Sequence, residues 1–176
     1  KIKQYSLILD IYGILAYFKY ENNDILNLKL RPGIFHFLNL VGKYYELIIF
    51  TVEKKNVADI IIDAIEYNEI YFEHRFYKQH TTIIKDEFIK DLSRIGRPLD
   101  EIIIVDIFPP NFRLQKGNEI FIKAFWGEDN SDIKLEELGK ILIKIAKDGG
   151  DVRKGLIKYK DEIIEHVTSD ISSNFY

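Results

Sequence analysis

Cysteine is missing from the 176 residues, so the chain has no disulfide and no zinc site with a thiolate ligand. An excess of positive charge is missing as well, because 25 Lys and Arg face 28 Asp and Glu, for a formal net charge of -3. The chain therefore offers no basic field for nucleic acid, which we do not expect as a partner. The four histidines lie far apart and show no metal-ligand spacing: His36, His74, His80 and His166.

Long apolar runs are also missing. No stretch approaches the roughly 18 to 20 apolar residues that a membrane span needs. The longest ones, at 46–50 and 102–105, have the length of buried strands. No signal peptide is visible, and the chain begins at Lys1 and not at a methionine. We therefore expect a membrane anchor, if the protein has one, to precede Lys1.

Short apolar runs alternate with longer stretches of helical period, a pattern typical of βαβ units around a parallel sheet. The hydrophobic content of 47% is that of a globular protein, and the length suits one domain with a large core. Predicted strands cover 6–9, 47–50, 102–105 and 120–123, and predicted helices begin at 31–33 and cover 54–67, 134–147 and 151–167. Between them we predict a polar loop at 21–24, and a short strand with a hairpin within 72–90 that turns at 85–87.

One polar residue follows each of three buried strands: Asp10, Thr51 and Asp106. In open α/β sheets the working residues lie beyond the carboxyl ends of the strands, so these three are candidates for a site. Asp and Thr also cap the helices that follow strands, so the bare pattern leaves both interpretations open.

Several motifs narrow the choice. They are Leu9–Leu15, Arg31-Pro32-Gly33, Ile49–Thr51, Lys90–Arg97 and Ile104–Asp106, in that order. From about Leu7 to Tyr159 the chain resembles the small C-terminal-domain phosphatases, also called NLI-interacting-factor-like, of the haloacid dehalogenase superfamily. The resemblance implies an α/β fold: a Rossmann-like three-layer sandwich with a mainly parallel central sheet and a small β-hairpin insertion. We expect that domain at residues 1–160 and a helical extension with a tail at 161–176.

The resemblance also implies roles for four residues. Asp10 stands at the nucleophile that attacks phosphorus, and Thr51 and Lys90 stand where the family holds the phosphoryl oxygens. Asp106, together with Asp10, stands on the side of the Mg²⁺ ion. A carboxylate that attacks a phosphate dianion needs such cations, and the leaving alkoxide needs a proton.

Three positions depart from the family's pattern. The second aspartate, which shuttles protons, is Tyr12, the motif threonine is Ile14, and the metal-binding asparagine is Ile107, with Phe108 after it. General acid–base help is worth roughly 10²- to 10⁴-fold, and a tyrosine is a poor base near neutral pH. Mg²⁺ demands near-octahedral oxygen ligands, which isoleucine cannot supply. We therefore expect no cofactor, and Mg²⁺ only if residual activity remains.

The four surviving residues have a structural interpretation too. Lys90 pairs with Asp10 and Asp106 in a neutralised buried cluster, and Thr51 caps the turn after its strand. The other interpretation is residual binding of metal or phosphate.

The order of the C-terminal segments resembles one non-catalytic branch, the receptor subunit of the mitochondrial presequence translocase. These segments are Asn111–Gln115, Trp126-Gly127, Asp151–Arg153, Leu156 and Tyr159. We therefore predict a pseudophosphatase that acts as a protein-binding or scaffold module, in the mitochondrial inner membrane or intermembrane space, or otherwise cytoplasmic or nuclear. Its expected partners are other subunits of a complex or presequence peptides.

The alternative function is an active Mg²⁺-dependent serine/threonine phosphatase that works through a phosphoaspartate at Asp10. The loop between Leu15 and Leu28 is predicted to be short and to give little material for a substrate-selecting cap, which favours an open face for a protein partner. The segment Glu128–Asp132 is a candidate acidic patch for a presequence, or a solvated loop before a helix.

Overall fold

A computed structural model describes residues 3–22 and 24–168, without the side chains of residues 111 and 112. The strands are β1 (Tyr5–Leu9), β2 (Ala16–Glu21), β3 (Asp24–Leu30), β4 (Tyr45–Phe50), β5 (His74–Phe76), β6 (Thr82–Ile84), β7 (Glu87–Ile89), β8 (Ile102–Asp106) and β9 (Glu119–Phe121). The helices are α1 (Ile34–Val41), α2 (Lys55–Ile65), α3 (Lys134–Asp148), α4 (Val152–Lys158) and α5 (Lys160–Glu162). A π-helical turn, Ile163–Thr168, follows α5.

Five strands form one parallel sheet in the order β5-β4-β1-β8-β9. Every residue of β1, β4 and β8 is buried, as expected for central strands covered on both faces. Alternate residues of β1 enter different clusters, since Leu7 and Leu9 pack in the main core and Ile8 packs on the opposite face. The predicted α/β fold with a mainly parallel sheet is confirmed.

The two faces of the sheet are covered differently. Apolar residues of the four helices α1 to α4 join the main core on one face. On the other face, residues such as Leu92 and Leu99, in short 3₁₀ turns, cover Ile8 and Ile104. The layer on this second face is thin, because short turns form it in place of long helices.

Two antiparallel hairpins are added to the sheet. The predicted hairpin is β6–β7, and Lys85 and Asp86 at its turn have φ values of 50° and 62°, as a two-residue type I′ turn requires. The other hairpin, β2–β3, occupies 16–30, where a short loop was predicted. That prediction was wrong because the segment carries strand-favouring residues, with Tyr17, Phe18 and Tyr20 in β2.

The C-terminal segment returns to the core. Ile163 and Val167 are buried in the main cluster, and the Thr168 hydroxyl donates a 2.8 Å hydrogen bond to the carbonyl of Phe121. The Lys123 amide donates to the carbonyl of Val167. The domain boundary predicted at residue 160 stays a prediction, and the tail at 169–176 lies outside the described residues.

Candidate active site

The register of the sheet brings three strand ends together. Leu9 pairs with Ile49 on one side and with Val105 on the other. Asp10 therefore lies level with Asp106, and Thr51 lies one residue beyond the same edge. All three side chains are buried. The candidates chosen from the strand ends thus occupy one place in the fold.

Lys90 reaches this place from another element. It follows β7 directly, so the hairpin delivers its side chain beneath the strand ends. The Lys90 Nζ lies 2.5 Å from Asp10 Oδ2 and 2.6 Å from Asp106 Oδ2, and its side chain has no exposed surface. The predicted pairing of Lys90 with the two carboxylates is present. One ammonium therefore bridges both acids.

The cluster holds two carboxylates and one ammonium, a net charge of -1 in a buried place. Burial raises the pKa of the Asp10 carboxyl, with the nearby Asp106 acting in the same direction and Lys90 in the opposite one. Burial on its own would lower the pKa of the Lys90 ammonium, but Asp10 and Asp106 outweigh it and the pKa is raised. Lys90 therefore stays charged because it is paired.

Thr51 connects the cluster to the following loop. Its side chain hydrogen-bonds to Asp10, and its Oγ1 accepts a 3.1 Å hydrogen bond from the amide of Glu53. The hydroxyl thus holds the turn after β4, as its structural interpretation predicts. Glu53 is partly buried, and burial, followed by the Asp10 charge, raises the pKa of its carboxyl. Sequence reasoning missed Glu53 as a site residue, although it lies only two residues beyond a candidate strand end.

Tyr12 packs into an aromatic group at the mouth of the site. Its ring centroid lies 5.2 Å from Phe18 in an edge contact, 5.8 Å from Trp126 and 6.0 Å from Tyr17. Burial, followed by the nearby Tyr17 and Glu53, raises the pKa of the Tyr12 phenol. The phenol is therefore protonated near neutral pH and can donate a hydrogen bond, but it cannot accept a proton as a base.

Apolar side chains pack around the loop that follows Tyr12. Ile14, at the position of the motif threonine, is fully buried in the main core. Gly13 has a φ of 74°, and a Cβ added there would lie 2.6 Å from Ile107 Cδ1. Glycine is thus favoured at residue 13 by its backbone conformation, and the Ile107 methyl would have to move to admit a Cβ.

The residues present do not fit a magnesium site. One oxygen of each carboxylate is bonded to Lys90, and the second oxygen of each accepts backbone amides, from Ile11 for Asp10 and from Ile107 and Phe108 for Asp106. The side chain of Ile107, at the position of the family's asparagine, has no oxygen that could bind a metal ion. Among residues 3–22 and 24–168, no group of three or more His, Cys, Asp or Glu is placed to hold a metal ion. A hard cation that takes six oxygens lacks ligands in this cluster.

A cleft of about 420 Å³ opens above the cluster. Its floor includes Asp10, Thr51 and Asp106, and its walls come from the loops after the strands and from the β6–β7 turn. Sequence reasoning missed most of these wall residues, because loops distant in sequence meet only in the fold. The turn predicted at 85–87 forms part of the wall, but the sequence did not indicate that this turn faces the site.

Arg31 of the Arg-Pro-Gly motif is structural. Its side chain is buried and makes two hydrogen bonds of 2.9 Å to the carboxylate of Asp132. It also donates to the carbonyls of Gly13, Ile14 and Lys123, which ties the Tyr12 loop to the segment before α3. Asp132 belongs to the predicted acidic patch at 128–132, so that segment has one carboxylate committed to the fold.

The segment at 111–115 also carries structural contacts. Arg113 forms an ion pair with Glu87, and the Gln115 side chain accepts from the Leu92 amide and donates to Asp91. The side chains of residues 111 and 112 lie outside the described residues. These contacts hold the residues on both sides of Lys90 in place, so the segment helps to position Lys90.

With this geometry in hand, comparison with known proteins decides the family. Residues 5–153 match the profile described as "NLI interacting factor-like phosphatase". The chain belongs to the NLI interacting factor-like phosphatase family. This confirms the family-level resemblance inferred from the motifs, and it adds no information on the mitochondrial branch.

Several relatives carry phosphatase names. The chain is 31% identical over 139 residues to CTD small phosphatase-like protein 3 of Caenorhabditis elegans, a match that covers 79% of this chain and 48% of that protein. It is 36% identical over 108 residues to nuclear envelope morphology protein 1 of Schizosaccharomyces pombe, covering 61% of this chain and 22% of that protein. The chain thus spans about half of the first relative's length and less of the second.

A solved structure confirms the fold. The RNA polymerase II CTD phosphatase Fcp1 superposes with a TM-score of 0.73 at 16% sequence identity, over 89% of this chain and 70% of that one. At this identity the likeness concerns the architecture alone. The chain and the Fcp1 domain therefore share the architecture of the parallel sheet.

Proposed function

We propose that this NLI interacting factor-like domain is a pseudophosphatase that acts as a protein-binding or scaffold module. The observation that carries the proposal is the pair of replacements on either side of the bridged carboxylates. Tyr12 and Ile107 stand where the family has a proton-shuttling aspartate and a metal-binding amide. Asp10 and Asp106 remain, but Lys90 holds both of them.

The chemistry of these replacements supports the proposal. Hydrolysis of a phosphoaspartate needs a base for water, and the Tyr12 phenol, whose pKa is raised by burial, remains protonated at neutral pH. The attack on phosphorus needs cations that offset two negative groups, and the only buried ammonium at the floor of the cleft is already paired twice among the described residues. Both defects act on the same turnover, so their costs in rate multiply.

A working phosphatase is the second candidate function. It is favoured by the relatives, which carry phosphatase names, and by the retention of Asp10, Thr51, Lys90 and Asp106 in one place. In that case Asp10 forms a phosphoaspartate, and the Tyr12 phenol donates the proton to the leaving group. A water-activating base would then have to come from outside the family's motif, and Glu53 is a candidate because it lines the cleft and interacts with the charge of Asp10.

The compartment and the partner remain part of the proposal. Relatives named for the nuclear envelope favour a nuclear or cytoplasmic placement over the mitochondrial one. No helix within residues 3–22 and 24–168 combines the length and the apolar character needed to cross a membrane. The receptor-like role toward presequences and the role as a subunit of a large assembly both stay predictions.

Hydrolysis of 4-nitrophenyl phosphate, with and without Mg²⁺, tests the proposal on the chain and on Asp10→Asn. We expect the two proteins to be equally inert, since the chain lacks the groups for turnover. A rate that requires Mg²⁺ and disappears in the variant would mean that the chain is an active phosphatase. Mn²⁺ in place of Mg²⁺ serves as a second condition, because it accepts less regular oxygen coordination.

A further inference from the structure

The walls of the site form a groove that is apolar and aromatic. Tyr12, Phe88, Ile107 and Phe108 line the cleft above the carboxylates, and Phe108 is about half exposed (54%). Side chains of this size left open to solvent at the mouth of a cleft are a feature of sites that bind a partner.

The groove continues past this first cleft. A second cleft, of about 400 Å³, lies along the β2–β3 hairpin and is lined by Tyr12, Phe18, Lys19, Tyr20, Glu21 and Glu53. Tyr12 and Glu53 line both clefts, so the two adjoin. The combined space is larger than a single side chain needs.

All the charged side chains that line the first cleft are acidic. Its lining includes five carboxylates, and none of the described residues in that lining is a lysine or an arginine: Asp10, Glu53, Asp86, Glu87 and Asp106. Lys90 and Arg113 compensate part of this charge from behind the surface. A phosphate dianion that entered would meet carboxylates on several sides, whereas a cation would be attracted.

The chain itself already places a cation on this wall. The Lys78 Nζ lies 4.3 Å from the centroid of the Phe88 ring, a cation–π contact. The same ammonium lowers the pKa of Glu53, against the effect of burial and of Asp10. The Phe88 ring and the Glu53 carboxylate thus both interact with one lysine of the chain, and this is consistent with walls that suit a cation.

We propose that this groove binds a segment of a partner protein in which a lysine or arginine is flanked by apolar side chains. The inference rests on the proposed function, because an active phosphatase would need the same cleft for a phosphorylated substrate. The basic group sits between Glu53 and the aromatic walls formed by Tyr12 and Phe108. The flanking apolar side chains lie along the second cleft against Phe18.

The single tryptophan of the chain makes the test direct. Trp126 is about half exposed, and its ring lies 5.8 Å from that of Tyr12, so its emission reports on the groove. Three short synthetic peptides are titrated: one of lysine, leucine and serine, one with glutamate for each lysine, and one with phosphoserine for each serine and no lysine. We expect saturable quenching or a spectral shift with the lysine peptide alone.

Two variants locate the binding, and a third serves as control. Glu53→Gln removes the charge with little change in shape, and we expect it to weaken the lysine peptide by about fivefold or more. Phe108→Ala removes part of the aromatic wall and is expected to weaken it similarly. Glu136→Gln makes the same charge change on α3, away from the groove lining, and should leave the affinity unchanged.

Several results would overturn the inference. These are equal binding of the lysine and glutamate peptides, stronger binding of the phosphoserine peptide, or equal effects of Glu53→Gln and Glu136→Gln. An emission change that follows protein concentration without peptide would assign the groove to a second copy of the chain instead. Because Trp126 emission does not depend on hydrolysis, a chain that hydrolyses phosphate but binds the lysine peptide would defeat only the proposed function.

Discussion

Removal of the bridging ammonium is the most informative perturbation of this fold. In Lys90→Met the side chain keeps its length and apolar stem, but Asp10 and Asp106 lose their shared partner. Loss of one member of a buried ion pair costs about 3–5 kcal/mol, because the remaining charge is left uncompensated. Here two carboxylates are left, so we expect a loss at the upper end of that range, against a total stability of about 5–15 kcal/mol.

The measurement is urea unfolding followed by circular dichroism, with thermal unfolding beside it. For a chain of this size a loss of about 5 kcal/mol corresponds to a fall in Tm of about 10–20 °C. The matched control is Asp10→Asn/Lys90→Met/Asp106→Asn, in which the whole cluster is neutral. It should recover most of the lost stability, since replacing a whole buried ion cluster by uncharged groups of similar volume usually changes stability little.

The pH dependence has a definite sign. Burial already raises the pKa of Asp10, and the opposing effect of Lys90 is lost in the variant. An acid whose pKa is raised by folding binds more protons in the native state, so its stability contribution is lost as pH rises through that pKa. The deficit of Lys90→Met should therefore be larger at about pH 8 than at about pH 5. A deficit below about 1 kcal/mol, or one equal in the triple variant, would refute the reasoning.

Three further variants probe the surroundings of the cluster. Arg31→Lys loses the bidentate hydrogen bonds to Asp132. We expect it to lower the free energy of unfolding by about 2–4 kcal/mol in a urea titration. An unchanged urea midpoint would contradict this. Gly13→Ala should cost about 1–3 kcal/mol, and the added Ile107→Val should return part of it in a double-mutant cycle, whereas strict additivity would argue against the contact. Glu53→Gln should be at least as stable as the unchanged chain near neutral pH, because burial raises the pKa of Glu53, with the difference shrinking as pH falls.

Much of the fold follows from the pattern of apolar residues. Central strands of a parallel sheet are buried on both faces, so β1, β4 and β8 appear in the sequence as continuous apolar runs. Since the carboxyl ends of such strands meet at one edge, Asp10, Thr51 and Asp106 were identifiable as a group before any coordinates. Lys90 was not found by that rule, because it follows a strand outside the main sheet. Only the family's motif indicated it.

The walls of the groove were out of reach for a physical reason. Phe88 lies in β7, and Ile107 and Phe108 lie in the loop after β8. Nothing in their local sequence tells that these two segments face each other. The β2–β3 hairpin was missed because its polar tip and its Lys and Asn residues resemble a solvated loop. Its aromatic residues were the overlooked signal, since Tyr17 and Phe18 pack against Tyr12.

The position of the Tyr12 ring could be learned only from the structure. The sequence shows that an aspartate position holds a tyrosine, but not whether the ring fills the phosphate pocket or turns away from it. In the fold, Tyr12 lies between two clefts and within the aromatic group of the mouth. At the position of the family's second aspartate, Tyr12 thus forms part of a wall, and this supports the binding function that we propose for the site.

We propose that the replacements at Tyr12 and Ile107 abolish catalysis in a site that is otherwise retained. The most direct measurement compares Mg²⁺-dependent hydrolysis of 4-nitrophenyl phosphate by the unchanged chain and by Tyr12→Asp/Ile107→Asn. We predict no rate above background for the unchanged chain and a gain of at least about 100-fold in the double variant, abolished by adding Asp10→Asn. Hydrolysis by the unchanged chain that the double variant does not increase would contradict the account.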